Sequence, residues 1–136
     1  MKLISLVLLA VLGFGLWVRL APSDPARWHV AVGDAGNRDF AGAVIRTIAA
    51  QPGDMTRLDR IIRATPRTTL LAGTPEEGMV TYITRSRIWG FPDYTTIQAT
   101  PGAILLHGRL RFGSSDLGVN RARVEGWIAA LQAGQS

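Results

Sequence analysis

Leu3 to Val18 carry no charged side chain and no polar one except Ser5, and Lys2 and Arg19 bracket the run. At 1.5 Å per residue such a stretch makes a helix of roughly 24 Å, a little short of a bilayer core. Leu20 and Ala21 extend it if Arg19 snorkels, Trp17 suits an interface, and Pro22 and Pro25 stop the helix. The pattern predicts an N-terminal membrane helix over residues 1–21. A cleaved signal peptide shares the leading lysine and the length, but a cut after Ala21 would put Arg19 three positions before it, where a small residue is wanted. A retained anchor is therefore expected, with cleavage as the alternative.

Residues 22–40 are rich in Pro, Gly, Asp and Asn and hold no sustained period, so they read as a linker with turns. A single domain is expected over 41–136. Ala43–Ile48 suits a short strand, broken by Pro52-Gly53. Asp54 offers an N-cap for a helix over Met55–Ala64, with Met55, Leu58, Ile61 and Ile62 on one face. Strands follow at Thr68–Ala72, Met79–Arg87, Tyr94–Ala99 and Ala103–Phe112. The last alternates most cleanly: Ile104, Leu106, Leu110 and Phe112 on one face, His107, Arg109 and Arg111 on the other. Val124, Trp127, Ile128 and Leu131 recur at helical spacing in a closing helix over Val119–Gln132, and Gly134 stops it. The expected fold is α+β: a four- or five-stranded antiparallel sheet with two amphipathic helices on one face, after the membrane helix.

Composition narrows the chemistry. No cysteine is present, which excludes disulfides, thiolate metal sites and a cysteine nucleophile. The net charge is +5, and Lys2 is the only lysine among fifteen basic residues. Setting aside Lys2 and Arg19 leaves thirteen basic groups against ten acidic ones, too small a surplus for nucleic-acid binding. His107 and His29 are the only histidines, with no carboxylate set to complete a ligand sphere, so neither a metal nor a cofactor is expected. Gly113-Ser114-Ser115-Asp116-Leu117-Gly118 matches neither a nucleophile elbow nor a phosphate loop. It reads instead as a capped entry into the last helix, with Ser115, Asp116 or Asn120 satisfying first-turn amides. Arg85 and Arg87 alternate on one strand, Arg109 and Arg111 on another. Such clustered cations need carboxylates or an anionic ligand beside them.

At these residues the chain resembles a known family. Arg-Ile-Trp-Gly-Phe-Pro-Asp (Arg87–Asp93) and Arg-Phe-Gly-Ser-Ser-Asp-Leu-Gly-Val-Asn-Arg (Arg111–Arg121) resemble the bacterial domain-of-unknown-function family 1499. Two departures stand out: Tyr94 replaces a second acidic residue, and Gly108-Arg109-Leu110-Arg111 replaces a serine-containing run. The resemblance implies a membrane-associated or exported α+β domain with no assigned reaction. It marks Arg87, Phe91, Asp93, Arg111, Ser115, Asp116, Gly118, Asn120 and Arg121 as positions to follow.

Together these readings favour a membrane-anchored, non-catalytic binding or accessory module. Residues 3–18 would hold it in the inner membrane as a single pass, with the domain on the periplasmic side. Its arginine-rich surface, with Arg85, Arg87, Asp93, Arg109, Arg111, Ser115, Asp116, Asn120 and Arg121 as candidate contacts, would take an anionic ligand, a lipid headgroup or a protein partner. Two alternatives stand beside it: a small hydrolase using Asp93 or Asp116 with His107 or a serine, and a structural partner of a membrane complex.

Overall fold

The computed structural model describes residues 1–33 and 36–135, so positions 34 and 35 of the expected linker lie outside the described residues. Ten elements follow one another: α1 (Lys2–Leu20), α2 (Pro25–Trp28), β1 (Arg38–Phe40), β2 (Ala43–Ala49), α3 (Asp54–Arg63), β3 (Thr68–Thr74), β4 (Met79–Arg85), β5 (Pro92–Thr100), β6 (Ala103–Leu110) and α4 (Val119–Ala133). The strands form one antiparallel sheet in the order β1-β2-β6-β5-β4-β3.

The sheet has six strands, not the four or five expected. The additional one is β1, three exposed residues whose charged composition gives no strand signal; it forms because the chain turns at Ala41-Gly42 and lays Arg38–Phe40 against Ile45–Ala43. Other boundaries move by a residue or two: β3 runs on to Thr74, β4 ends at Arg85, leaving Arg87 in a turn, β5 starts at Pro92, β6 ends at Leu110, and β2 and β5 each end one residue later.

Helices α3 and α4 pack on one face. Leu58 and Ile62 from α3, and Val124, Trp127 and Leu131 from α4, meet Val44, Val80, Tyr82, Ile97, Ile104 and Leu106 in one buried cluster. Each helix buries a stripe at three- and four-residue spacing, which its sequence period dictates. The Trp127 indole N–H donates to Thr65 Oγ1 at 2.8 Å and the Tyr82 hydroxyl to Asp59 at 2.6 Å, so the two large amphipathic rings keep their polar ends satisfied. Asp54 does not cap α3. Gly53, at φ 85°, is the N-cap, and Asp54 is buried inside the first turn, accepting from Gln51 N, Arg57 and Gln135.

The opposite face is covered as well. Residues 18–32 cross it: Val18, Ala21 and Val32 are buried, and Trp28 stacks on Tyr94 with centroids 3.9 Å apart and planes 13° from parallel. His29 Nδ1 lies 2.9 Å from Thr81 Oγ1, which is 2.8 Å from Thr96 Oγ1. Val32 N–H donates to Gln98 Oε1 at 2.7 Å, and Ser23 and the Tyr94 hydroxyl are 2.6 Å apart. The stretch expected to be a linker thus supplies a second layer, which explains why β4 and β5 are buried on both sides.

If Trp28 is the keystone of that layer, Trp28→Ala costs roughly 2 kcal/mol, about half the value for a fully buried tryptophan. Thermal melts of the full chain in mild detergent measure it, and near-ultraviolet circular dichroism should lose the signal of the stacked pair.

Candidate functional site

The strand register puts Arg85 and Arg109 on the face away from α3 and α4, and Arg111, just past β6, reaches back over that face. Their guanidinium groups point into the chain's own backbone. Arg109 donates to Trp28 O, to His107 O at 3.1 Å and to Thr96 Oγ1 at 3.1 Å, and lies 5.7 Å from the Trp28 ring centroid. Arg111 donates to Pro22 O at 3.0 Å and to the Tyr94 hydroxyl at 3.1 Å; Arg85 donates to Gly90 O at 2.9 Å. Carbonyl oxygens, not carboxylates, separate these cations. Burial, opposed by Tyr94, pulls Arg109 down to about 10, still protonated at neutral pH. Arg87 is exposed in the β4–β5 loop.

His107 belongs to this same face, opposite Thr96 and Ile45 in register. Burial and the neighbouring Arg109 push its pKa down to about 4, so it is neutral at pH 7. The sheet separates it from Asp93 and Asp116, and the two carboxylates and the histidine do not converge.

The two family-like motifs do meet. Asp93 pairs with Leu110 in register and faces the helix side, where a cleft of about 250 Å³ is lined by Ser86, Phe91, Asp93, Leu110, Phe112, Ser115, Asp116 and Val119. Asp93 is bonded to Arg123 Nη1 at 3.2 Å, and the same nitrogen donates to Asn120 Oδ1 at 3.1 Å. Asn120, fully buried, donates through Nδ2 to Asp116 at 2.7 Å. Asp116 also accepts from Gly118 N at 2.9 Å and Asn120 N at 3.0 Å, and its own N–H donates to Ala41 O. A chain Asp93–Arg123–Asn120–Asp116 therefore ties β5, the start of α4 and the β1–β2 turn together. The Gly118 and Asn120 amides, which face an anion at such a helix start, are taken by Asp116 itself. Leu117 adopts φ 54°, the left-handed region that non-glycine residues rarely enter, and its side chain is 93% exposed.

The two carboxylates are driven apart. Burial raises Asp93 above the usual carboxylate range, Arg123 opposing and Asp116 reinforcing the shift. For Asp116 burial acts upward too, but hydrogen bonds from Asn120 and Gly118 outweigh it and hold the group low. Ser115 Oγ accepts from Leu117 N and Ser86 Oγ from Phe91 N, so both hydroxyl oxygens serve the loops that carry them.

This motif pair can now be set against known proteins. The sequence model of a family described as "Protein of unknown function (DUF1499)" matches residues 18–131. The chain belongs to the DUF1499 family. Its DUF1499 region begins at the buried Val18, in the last turn of α1, and takes in both the second layer and the cleft. No curated protein matches the chain. Among solved structures, a DUF4468 family protein from Bacteroides ovatus is similar over 65% of this chain at 15% identity with a TM-score of 0.29; the match spans 63% of that protein.

Arg123, Phe112 and Val119 were not singled out as site residues from sequence. The signal for Arg123 was its position three residues after Asn120, one helical turn away on the same face. Arg121, a single residue after Asn120, points elsewhere and lies 3.6 Å from Asp39.

Two outcomes are expected. Asp116→Ala removes the carboxylate that caps α4 and should cost about 1 kcal/mol in a denaturant titration. The His107 pKa is lower folded than unfolded, so between about 6.5 and 4 the unfolded chain binds more protons and stability falls with falling pH. Melts of the full chain should lose on the order of 2 kcal/mol across that window through this group, and His107→Gln should flatten the dependence.

Proposed function

We propose that this DUF1499 protein is a membrane-anchored, non-catalytic binding module whose recognition site is the Asp93–Asp116 cleft. The observation that carries the reading is the convergence of both family motifs on one cavity with apolar walls (Phe91, Leu110, Phe112, Val119) and a carboxylate floor. Such a lining favours a small amphiphile bearing hydroxyl or ammonium donors. Asp116 already accepts from three N–H groups of its own turn, so Asp93 is the acceptor we assign to a ligand. With Arg85, Arg109 and Arg111 engaged by carbonyl oxygens, an anionic ligand has Arg87 and Arg121 rather than the strand arginines to turn to.

Anchoring through α1 is supported by its length and apolar composition, sufficient for a membrane crossing. Retention of the helix is supported by its last turn: Val18 is 0% exposed, and Arg19 Nη2 donates to Ile88 O at 2.6 Å. The orientation we adopt has the domain on the periplasmic side of the inner membrane.

The hydrolase alternative is favoured by the opposed shifts of Asp93 and Asp116, a pattern used for acid–base pairs. Against it, His107 lies across the sheet, and among the described residues the Ser115 and Ser86 hydroxyls are bonded to Leu117 N and Phe91 N and to neither carboxylate.

Full-length protein extracted from carbonate-washed membranes tests the reading, with co-purifying small molecules identified by mass spectrometry. One amphiphile class should be enriched over an unrelated single-pass protein, and lost from Val119→Trp, which fills the cleft. Release into the carbonate wash would overturn the anchor; no enrichment, or enrichment unaffected by Val119→Trp, would overturn the site.

A further inference from the structure

Val30 and Leu70 apart, the large apolar side chains exposed in the globular part cluster in one place. Phe40, Ile88, Trp89, Leu117 and Val119 are all exposed, Ile88 to 77%. The antiparallel register gathers them at one end of the sheet. Phe40 opposes Ala43 beside the β1–β2 turn, Ala43 opposes Arg109, Asp93 opposes Leu110, and Arg85 opposes Pro92. The β4–β5 loop, the β6–α4 connection and the β1–β2 turn therefore form a single rim.

Helix α1 reaches this same rim. Trp17 packs edge-on against Phe112 at 5.5 Å and Phe14 against Phe91 at 6.3 Å, while Arg19 holds Ile88 O. An apolar groove of about 480 Å³ runs between Val11, Leu12, Gly15 and Leu16 of the helix and Ile88-Trp89 of the loop. Depth along α1 can be read from its rise. With Trp17 and Arg19 at the headgroups, Gly15 and Val11 lie roughly 6 and 12 Å further toward the bilayer centre. Ile88 and Trp89, alongside them, must then sit below the headgroup level, within the range that interfacial apolar groups reach.

We infer that this rim is a second membrane-contact surface, whose partner is the phospholipid bilayer that holds α1. The apolar rim is continuous with the apolar surface of the helix, and cations stand where headgroups would lie: Arg87 exposed in the loop itself, Arg121 behind Leu117. The left-handed backbone at Leu117 holds a leucine outward into what would otherwise be water, and a bilayer supplies the apolar surroundings for it. The domain then lies flush on the membrane, with the Asp93–Asp116 cleft opening at the headgroup level, where an amphiphile can enter from the lipid phase. The inference rests on the anchoring reading.

The absence of cysteine makes the test direct, because single cysteines can be introduced without a background. Full-length Ile88→Cys, Leu117→Cys, Leu9→Cys and Glu76→Cys proteins, spin-labelled and placed in vesicles of mixed zwitterionic and anionic phospholipid, are compared for relaxation by oxygen and by a water-soluble nickel chelate. Labels at 88, 117 and 9 should favour oxygen over nickel several-fold more than the label at 76, which lies in the β3–β4 turn at the other end of the sheet. Nickel access at 88 and 117 like that at 76, with 9 in lipid, overturns this surface and leaves the anchor standing. Nickel access at 9 overturns the anchor and the surface together. Labels at 88 and 117 shielded from both reagents mean that a second copy or another protein covers the rim, which also overturns it.

Discussion

A guanidinium group with no carboxylate beside it among the described residues holds the second layer of this fold in place. Arg109 sits on the sheet face that an antiparallel α+β domain usually leaves to water, under the stacked Trp28 and Tyr94 rings. A half-buried cation is costly unless its hydrogens find acceptors. The chain meets that requirement with backbone carbonyls, including Trp28 O, so satisfying the charge and docking the segment are one event. Arg111 repeats the device at Pro22 O, and the Thr81–Thr96–His29 contacts continue the seam across the sheet. Carbonyl partners suit the task because the roof is a stretch of irregular backbone whose own polar groups need satisfaction.

Docking that segment has a consequence at its start. Residues 18–21 enter the buried layer directly from α1, with no slack between helix and domain, and Arg19 and Trp17 continue the contact into the β4–β5 loop and Phe112. The helix axis is thereby fixed relative to one end of the sheet, the end where the Asp93–Arg123–Asn120–Asp116 chain gathers β5, α4 and the β1–β2 turn. A flexible tether would leave the cleft free to face any direction. A helix seated in the domain does not.

Sequence patterns made the α3–α4 side of the molecule legible because one physical quantity governs it. Leu58 and Ile62, Val124, Trp127 and Leu131, and Ile104 and Leu106 are apolar at the period of their element, and they all reach the core. The other side escaped because its buried apolar residues, Ile45 and Leu105 among them, share the face with half-buried polar ones. His107, Arg109 and Arg111 alternate with apolar neighbours as a solvated face would, and what converts them to interior groups is a partner segment many residues away that has no period of its own. Trp28 was invisible as a core residue for the same reason, and β1 because Arg38-Asp39-Phe40 is too short and charged to register. The site was half legible. The two motifs could be read, but their meeting depends on Asp93 facing the helix side, and that follows only from the pairing of β5 with β6.

The same pairing decides which of the candidate chemistries the fold can support. Asp93 at the edge of β5 and His107 inside β6 differ by an odd step in register, so they emerge on opposite faces: Asp93 lies across from Leu110, His107 across from Thr96. No rotamer brings them together through a hydrogen-bonded sheet. A catalytic pair of Asp93 with His107 is therefore excluded by topology, whereas a cleft built on Asp93 is not. What remains at the cleft is a carboxylate pair of unequal character, one member consumed by capping α4 and the other raised by burial beside apolar walls. Asp93, paired with Arg123 and set among apolar walls, is an acceptor, and on that ground the ligand we propose is the donor-bearing end of an amphiphile rather than an anion.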